Sequence, residues 1–240
     1  MFNKGGQPSY FNNIVSYWNM DGNANDIIGG LNGTEYGTIT YPNGFIDKSV
    51  DFSADPFAGL IIPNDPSLNF GDSFTDRAFS LSLWVNFQVL GTSWLIGKRG
   101  EIGNSSSTLK PAYQMYYASG NFGIVLFDGS SSVFLQRVSA GGLYTESNKW
   151  YNIIYTYNGN SNIFGLNLYV DGVAAGSGNT SGAYVAMHAY DNDVLFGRRA
   201  DTPLGLNGYL DEIVFFDREL TLEERIEIRD RGLNGIPVID

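Results

Sequence analysis

The chain has 240 residues, of which 43% are hydrophobic and 15% aromatic. This composition supplies enough apolar side chains for a sizeable core and differs from the low-hydrophobicity mixture of disordered chains. The formal net charge of −11 argues against nucleic-acid binding, which needs a basic surface to neutralise phosphates. The absence of cysteine excludes disulfides and thiolate metal sites, and no stretch has the ~18 apolar residues of a membrane-spanning helix.

The first thirteen residues form a polar, weakly patterned segment. Residues 1–10 contain one lysine and lack the apolar region of a secretory signal peptide, so we expect assembly in the cytoplasm. We predict that residues 1–13 form an arm outside the folded domain. Residues 14–240 show no repeat, linker or change of composition, and we predict that they form one domain.

Alternation of apolar and polar residues predicts β-strands in much of the chain. Residues 79–87 place five apolar side chains on one face and mainly polar ones on the other, which is typical of a half-buried strand. The ranges 151–157 and 166–170 alternate in the same way. The ranges 122–127 and 210–216 are apolar on both faces, so we expect them nearer the middle of a sheet.

Turns that contain glycine separate these strands. Asp128-Gly129 and Asp171-Gly172 are pairs favoured in tight hairpins, because glycine accepts a positive φ. We assign no element to residues 94–117 and expect a variable loop there. Short strands joined by such turns, without alternating helices, predict an all-β sandwich or barrel.

One short helix is predicted near the C-terminus. Thr221 and Glu224 have the spacing of a capping box, in which each side chain bonds to the backbone of the other residue. Gly232 stands where a glycine would end the helix. Apolar residues between these positions give the helix a side that can pack on a sheet.

The sequence does not bring together the residues of a common hydrolytic mechanism. His188 is the only histidine, and its neighbours indicate no nucleophile beside it. Glycoside hydrolysis needs two carboxylates that flank one bond. Asp211 and Glu212 are adjacent, and neighbouring side chains of a regular strand point to opposite faces. We therefore predict no catalytic residues and no enzyme, with a glycanase as the alternative.

Several segments in order resemble the laminin-G-like, or concanavalin A-like lectin/glucanase, superfamily. They are Trp18-Asn-Met-Asp21-Gly22, the range 44–52, Phe79-Ser-Leu-Ser-Leu-Trp-Val85, Trp150 to Tyr157 with Leu168-Tyr-Val-Asp-Gly172, Gly208-Tyr-Leu-Asp-Glu-Ile213, and Arg218-Glu-Leu-Thr-Leu-Glu-Glu224. The resemblance covers residues 15–232. It implies an all-β, two-sheet antiparallel jelly-roll sandwich with one short C-terminal helix.

The resemblance also implies a cation site, because many members of this superfamily hold a structural Ca²⁺ between the first loop and the closing strand. Asp21, Asn23, Asp26 and Asp211 would supply the hard oxygen ligands that Ca²⁺ prefers. The alternative is that the aspartates of the first loop only form turns with Gly22 and its neighbours.

A sugar-binding surface is a further expectation. Sugar recognition needs aromatic rings for C–H faces and planar polar groups for hydroxyls. Trp94, Tyr116, Tyr169 and Arg198 are candidates for these roles. Cell-surface glycans are therefore expected ligands, and one possible function is that of a bacterial carbohydrate-binding module or lectin.

The resemblance implies a second possible setting, since LamG-like domains occur on the capsids and tails of bacteriophages. We expect a virion protein, such as a head fibre, decoration protein or tail adhesin, present in many copies and assembled in the host cytoplasm. The arm at residues 1–13 would bind other virion proteins. An extracellular or cell-surface location is the alternative that suits a bacterial lectin.

Overall fold

Fifteen β-strands, three 3-10 helices and one α-helix make up the part of the chain that the computed structural model describes, residues 7–100, 110–200, 202 and 205–239. The strands are β1 (Ile14–Trp18), β2 (Thr34–Tyr36), β3 (Val50–Asp51), β4 (Gly59–Ile62), β5 (Phe79–Phe87), β6 (Ser93–Arg99), β7 (Pro111–Ala118), β8 (Asn121–Phe127), β9 (Phe134–Val138), β10 (Trp150–Tyr157), β11 (Leu166–Val170), β12 (Val173–Ala174), β13 (Ser177–Ser181), β14 (Val194–Phe196) and β15 (Gly208–Phe216). The 3-10 helices are Phe11–Asn13, Pro66–Leu68 and Ile163–Gly165, and the α-helix, α1, is Leu222–Leu233. All five predicted strands are present, as β5, β8, β10, β11 and β15.

The strands form two sheets. Sheet one has the order β1-β15-β5-β10-β11-β12, with β3 paired to β15, and sheet two has the order β13-β9-β8-β7-β6-β14-β4-β2. All pairings between the described strands are antiparallel. The predicted two-sheet antiparallel sandwich with a C-terminal helix is confirmed. The two strands that are apolar on both faces, β8 and β15, each have neighbours on both sides, as expected.

The main core lies between the two sheets. Along β5 every second residue, from Phe79 to Phe87, enters this core and is fully buried. Trp18 of sheet one packs edge-on against Phe196 of sheet two, with 5.0 Å between the ring centroids. Burial of each large apolar side chain in this way stabilises the fold by about 1.5–3 kcal/mol. The hydrophobic effect in this core is therefore the main interaction that holds the two sheets together.

A second apolar cluster covers the outer face of sheet one. Helix α1 contributes Ile228, strand β15 contributes Val214, and the N-terminal segment contributes Tyr10. Tyr10 is fully buried, and its hydroxyl donates to the carbonyl of Val238 at 3.0 Å. The described part of the predicted arm, residues 7–13, therefore packs on the sandwich and does not lie outside it. The rest of the arm falls outside the described residues.

Helix α1 begins where the sequence predicts and ends later. The Thr221 hydroxyl accepts from the Glu224 amide, and the Glu224 carboxylate accepts from the Thr221 amide, which confirms the capping box. The predicted end at Gly232 is wrong, because this residue lies inside the helix and Gly235, with a φ of 68°, follows its last turn. Glycine is needed at 232 for another reason, since a Cβ there would lie 2.7 Å from the Trp84 ring. No helix of the described ranges is long and apolar enough to cross a membrane.

The two predicted hairpin turns differ in the structure. Asp171-Gly172 forms a tight turn between β11 and β12, and both residues have a positive φ. Asp128-Gly129 opens a longer connection, residues 128–133, between β8 and β9. The pair at 128 and 129 therefore indicates a change of direction but not the length of the turn.

The range 94–117, expected to be a variable loop, contains most of β6 and β7. The pairing of these strands has two register shifts, one of them between Trp94 and Ile96. A bulge of this kind breaks the alternation that reveals a strand in a sequence. The connection at 101–109 falls outside the described residues.

Candidate functional site

Two aromatic residues that the sequence singles out lie side by side on the outer face of sheet two. Trp94 of β6 is paired with Tyr116 of β7, and their ring centroids are 5.7 Å apart at an interplanar angle of 56°. Both side chains are half-buried. The neighbours of Tyr116 along β7, Met115 and Tyr117, belong to the core. Alternation along the strand therefore turns Tyr116 outward.

A glycine makes room for the Tyr116 ring over the next strand. A Cβ at Gly123 of β8 would lie 2.4 Å from Tyr116 Cζ, so the ring occupies the space of a missing side chain. Nε2 of Gln136, on β9, donates to the Tyr116 hydroxyl oxygen at 2.8 Å. Burial raises the pKa of Tyr116. The hydroxyl therefore keeps its proton at neutral pH and can donate a hydrogen bond to a ligand.

The guanidinium of Arg199 lies against the same tryptophan. Its Cζ is 4.5 Å from the centroid of the Trp94 ring, a cation–π contact worth about 0.5–1 kcal/mol at a partly exposed site. Trp94, Tyr116, Gly123, Gln136 and Arg199 together are named the sheet-two platform. Its two aromatic rings, hydroxyl, amide and cation suit a ligand that has both C–H faces and polar groups.

The other two residues predicted for sugar binding lie away from the platform. Tyr169 is on β11 of sheet one, and the guanidinium of Arg225 from α1 covers its ring at 3.6 Å. Arg198 is buried, and its Nη1 donates to the carbonyl of Phe57 at 2.5 Å. Of the two adjacent arginines it is Arg199 that joins the platform. The sequence shows the pair, but not which member faces outward.

Asp26, one of the three calcium ligands predicted in the first loop, accepts hydrogen bonds from backbone amides. Its carboxylate accepts hydrogen bonds from the N–H groups of Tyr17, Ile28, Gly29 and Leu31 at 2.9–3.1 Å. A carboxylate has about four lone-pair positions, so these bonds leave little capacity for a cation. In this arrangement Asp26 holds the loop that follows it against β1.

Asp211 and Asp21 hold the two ends of the loop that precedes β3. Oδ2 of Asp211, which is fully buried, accepts from the amides of Phe45 and Ile46 at 2.9 and 3.0 Å. Oδ1 of Asp21 accepts from the amide of Lys48 at 3.0 Å. The structure thus brings the two predicted ligands to one loop, where both of them bind backbone.

The fourth predicted ligand, Asn23, caps a local turn, since its Oδ1 accepts from the Asn25 amide at 2.8 Å. In the described ranges, no three His, Cys, Asp or Glu side chains form a group that could hold a metal ion. The oxygens of Asp26 and Asp211 face amide donors and do not fit direct coordination of Ca²⁺. Calcium binding by the predicted set, Asp21, Asn23, Asp26 and Asp211, stays a prediction.

The acid next to Asp211 has a geometry that the sequence does not reveal. β15 has a bulge between Asp211 and Val214, and within it Glu212 has a φ of 51°. The Glu212 carboxylate accepts from the Tyr17 hydroxyl at 2.6–2.7 Å and from the Val238 amide at 2.9 Å. Burial raises the pKa of Glu212 to about 7. With exposures of 0% and 1%, Asp211 and Glu212 are closed to any external substrate.

Comparison with known sequences identifies one family. The family described as the concanavalin A-like lectin/glucanases superfamily matches residues 62–224, which is more than half of the chain. No protein with a curated description matches the sequence significantly.

Several solved structures share the fold. Domain 4 of an extracellular arabinanase from Geobacillus stearothermophilus, in complex with arabinotriose, matches with a TM-score of 0.63 and 17% identity over 90% of this chain and 98% of its own. The binding domain of Paraclostridial Mosquitocidal Protein 1 matches with a TM-score of 0.69 and 16% identity over 93% of this chain and 53% of its own. The receptor binding domain of botulinum neurotoxin D matches with a TM-score of 0.64 and 14% identity over 92% of this chain and 53% of its own. The chain thus spans about half the length of the two toxin fragments.

Proposed function

Since the chain belongs to the concanavalin A-like lectin/glucanase superfamily, we propose that it is a non-catalytic domain that binds glycans with the sheet-two platform. The observation that carries this proposal is the contact of Trp94 with both Tyr116 and Arg199 on an outward face. An aromatic ring binds the C–H face of a sugar, and neighbouring donors and acceptors bind its hydroxyls. The platform places both kinds of group beside each other.

The descriptions of the structural neighbours support a binding role. The arabinanase domain was solved in complex with arabinotriose, and the two toxin fragments are described as binding domains. Those descriptions apply to the neighbours themselves. We infer that this chain uses the same sandwich for recognition.

The acid pair of β15 supports a role without catalysis. A glycosidase needs two carboxyl groups that a substrate can approach. Asp211 and Glu212 are closed to solvent and are bonded to backbone amides, so they serve the fold. A glycanase remains the alternative, and release of reducing ends from polysaccharides by the pure protein would favour it over the binding role.

A glycan array followed by titration of the best ligand tests the platform. Trp94→Ala removes the aromatic face, and we expect it to weaken binding by about tenfold or more, which is about 1.4 kcal/mol. Phe164→Ala is the control, because Phe164 is 84% exposed and lies in the 3-10 helix before β11, outside the platform. An array without any bound glycan would contradict the proposal. Binding that Trp94→Ala leaves unchanged would contradict the platform as its site.

We further propose that the domain is displayed on a bacteriophage particle. The observation that favours display is the separation of the chain's terminal segments from the platform. Tyr10 and Val238 contact each other in the cluster on the outer face of sheet one, whereas the platform lies on the outer face of sheet two. A domain attached to other virion proteins on the side where residues 7–13 pack would therefore turn the platform toward solvent.

Such a protein would be assembled in many copies in the host cytoplasm, whereas a secreted or cell-surface lectin is the alternative. Electron cryo-microscopy of purified particles distinguishes the two. Display predicts density for this fold at symmetric positions, with the outer face of sheet two directed away from the particle. A protein found only in culture medium or on the cell surface would favour the lectin.

A further inference from the structure

A pocket of about 250 Å³ lies on the outer face of sheet one, beside the C-terminal end of α1. The pocket, named the helix-side pocket, is lined by Phe45, Trp84, Trp150, Asp171, Arg229 and Leu233. Half of these residues are aromatic, whereas a larger cavity of about 370 Å³ elsewhere on the molecule has no aromatic side chain in its lining. The helix-side pocket shares no residue with the sheet-two platform.

Two half-buried rings form the aromatic side of the pocket. Phe45 stacks on Trp84 with 3.7 Å between the centroids and an interplanar angle of 20°. Phe45 also lies 5.9 Å from Trp150 at an angle of 55°. Trp84 is almost completely buried beneath Phe45, whereas Phe45 and Trp150 remain partly exposed. The surface that a ligand meets is therefore that of Phe45 and Trp150.

The surrounding fold holds these rings in place. The hydrogen bond from the Phe45 backbone N–H to the buried Asp211 carboxylate fixes the loop that carries the Phe45 ring. On the other side, the missing Cβ of Gly232 allows α1 to lie directly on Trp84. A pocket that is ordered before binding loses less conformational entropy when a ligand enters.

A carboxylate and a guanidinium form the polar side of the pocket. Oδ1 of Asp171 accepts from the Asn152 amide at 2.9 Å. Arg229 donates from Nη1 to the Asp171 carbonyl at 3.3 Å and from Nε to Asp230 Oδ1 at 2.9 Å. Burial raises the pKa of Asp171, while the positive charges of Lys149 and Arg229 act in the opposite direction. An acceptor and a donor thus stand beside the aromatic rings.

We propose that the helix-side pocket is a second glycan subsite, which binds one sugar ring with its C–H face on Trp150 and its hydroxyls on Asp171 and Arg229. A carboxylate accepts from neighbouring hydroxyls and a guanidinium donates to them. The volume of about 250 Å³ is below the roughly 300–1,000 Å³ typical of pockets for drug-sized ligands. The pocket therefore takes a single ring and not an extended chain.

The polar side favours a neutral sugar over other small ligands. Aromatic rings beside a carboxylate can also bind a methylated ammonium group. Here Arg229 lines the same pocket as Asp171, so a cationic ligand would have to lie beside a guanidinium. A purely apolar ligand would remove water from the carboxylate and the guanidinium without replacing its hydrogen bonds, which costs free energy.

The four tryptophans of the chain allow binding to be read site by site. In an isotope-labelled full-length sample, the indole N–H signals of Trp84 and Trp150 report on the helix-side pocket, and that of Trp94 reports on the platform. Trp18 is fully buried and serves as an internal reference. The probes are methyl α-D-mannopyranoside, methyl β-D-galactopyranoside, methyl β-D-glucopyranoside and methyl α-L-arabinofuranoside. We expect at least one probe to shift the Trp84 and Trp150 signals in a saturable way.

Asp171→Asn tests the polar side without disturbing the turn. Asparagine accepts the left-handed backbone of this position and keeps an oxygen for the Asn152 amide. We expect the variant to raise the Kd obtained from the saturable shift by about tenfold or more. Asp72→Asn is the charge-matched control, because Asp72 is an exposed turn aspartate outside the pocket.

The proposal is overturned if no probe moves the Trp84 and Trp150 signals at about 50 mM, well above the millimolar Kd expected for a single ring. It is also overturned if Asp171→Asn titrates like the unmodified protein. Shifts confined to Trp94 would support the platform and refute the pocket, whereas shifts confined to Trp84 and Trp150 would do the reverse.

Discussion

The buried carboxyl of Glu212 is expected to make the protein less stable as the pH rises from about 4.5 to about 7. Its ordinary pKa is 4.5, and burial raises it to about 7 in the folded protein. Asp21 acts in the same direction, while the Tyr17 hydroxyl and Arg231 oppose it. The folded state therefore binds the proton more tightly than the unfolded chain does. The stabilising contribution is complete below pH 4.5 and is lost as the pH rises through 7.

The size of this effect follows from the two pKa values. At about 1.4 kcal/mol for each pH unit, the interval between 4.5 and 7 corresponds to about 3 kcal/mol of unfolding free energy. This is a large part of the roughly 5–15 kcal/mol that stabilises a typical domain. The cost arises from burying the charge, because the bonds from the Val238 amide and the Tyr17 hydroxyl favour the ionised carboxylate.

Glu212→Gln isolates the contribution. The amide keeps an oxygen for the Val238 N–H but has no charge to bury. We measure the free energy of unfolding in urea between about pH 4 and 8. Over this range, the variant's unfolding free energy should rise by about 3 kcal/mol relative to that of the unmodified protein. Glu223→Gln, at an exposed position of α1, is the control and should follow the unmodified protein. If the Glu212→Gln and unmodified curves stay parallel over the whole range, the reasoning is refuted.

Three further changes test the packing and the loops. Gly232→Ala should destabilise by about 1–3 kcal/mol in urea unfolding, because its Cβ would lie 2.7 Å from Trp84; a gain, as helix propensity alone predicts, would contradict the contact. Asp26→Asn should cost about 2–3 kcal/mol in the same assay, since an amide nitrogen would face backbone N–H donors; an unchanged midpoint would refute this. If the predicted calcium site is occupied, EDTA should lower the Tm and added CaCl2 restore it, whereas an unchanged Tm contradicts a stabilising ion.

The fold was predictable wherever local pattern and burial agree. Along β5 every second residue is apolar and enters the core between the sheets, so its bounds follow from the sequence alone. The capping box at Thr221 is equally local. The bulge at Trp94 breaks the alternation and hides β6. Gly232 looks like a helix end but serves a contact with Trp84, which belongs to a distant strand.

The candidate sites depend on contacts that one sequence does not show. Trp94 and Tyr116 could be proposed from residue type, but their pairing depends on the register of β6 with β7. The helix-side pocket was missed because Phe45 owes its position to Asp211, which lies 166 residues away along the chain. A turn aspartate such as Asp171 has no signal that separates a binding role from a structural one.

The glycine beneath the platform offers a test that separates recognition from stability. Ala at position 123 would place a Cβ 2.4 Å from Tyr116 Cζ, so the ring must swing away and lose its hydrogen bond to Gln136. One lost bond costs about 1 kcal/mol of stability, whereas glycan binding, which needs the ring beside Trp94, should weaken by about tenfold. Gly97→Ala is the matched control, because a Cβ there has its nearest neighbour at 3.6 Å. Equal glycan affinity for the Gly123→Ala and Gly97→Ala variants would show that the Tyr116 ring does not hold the ligand.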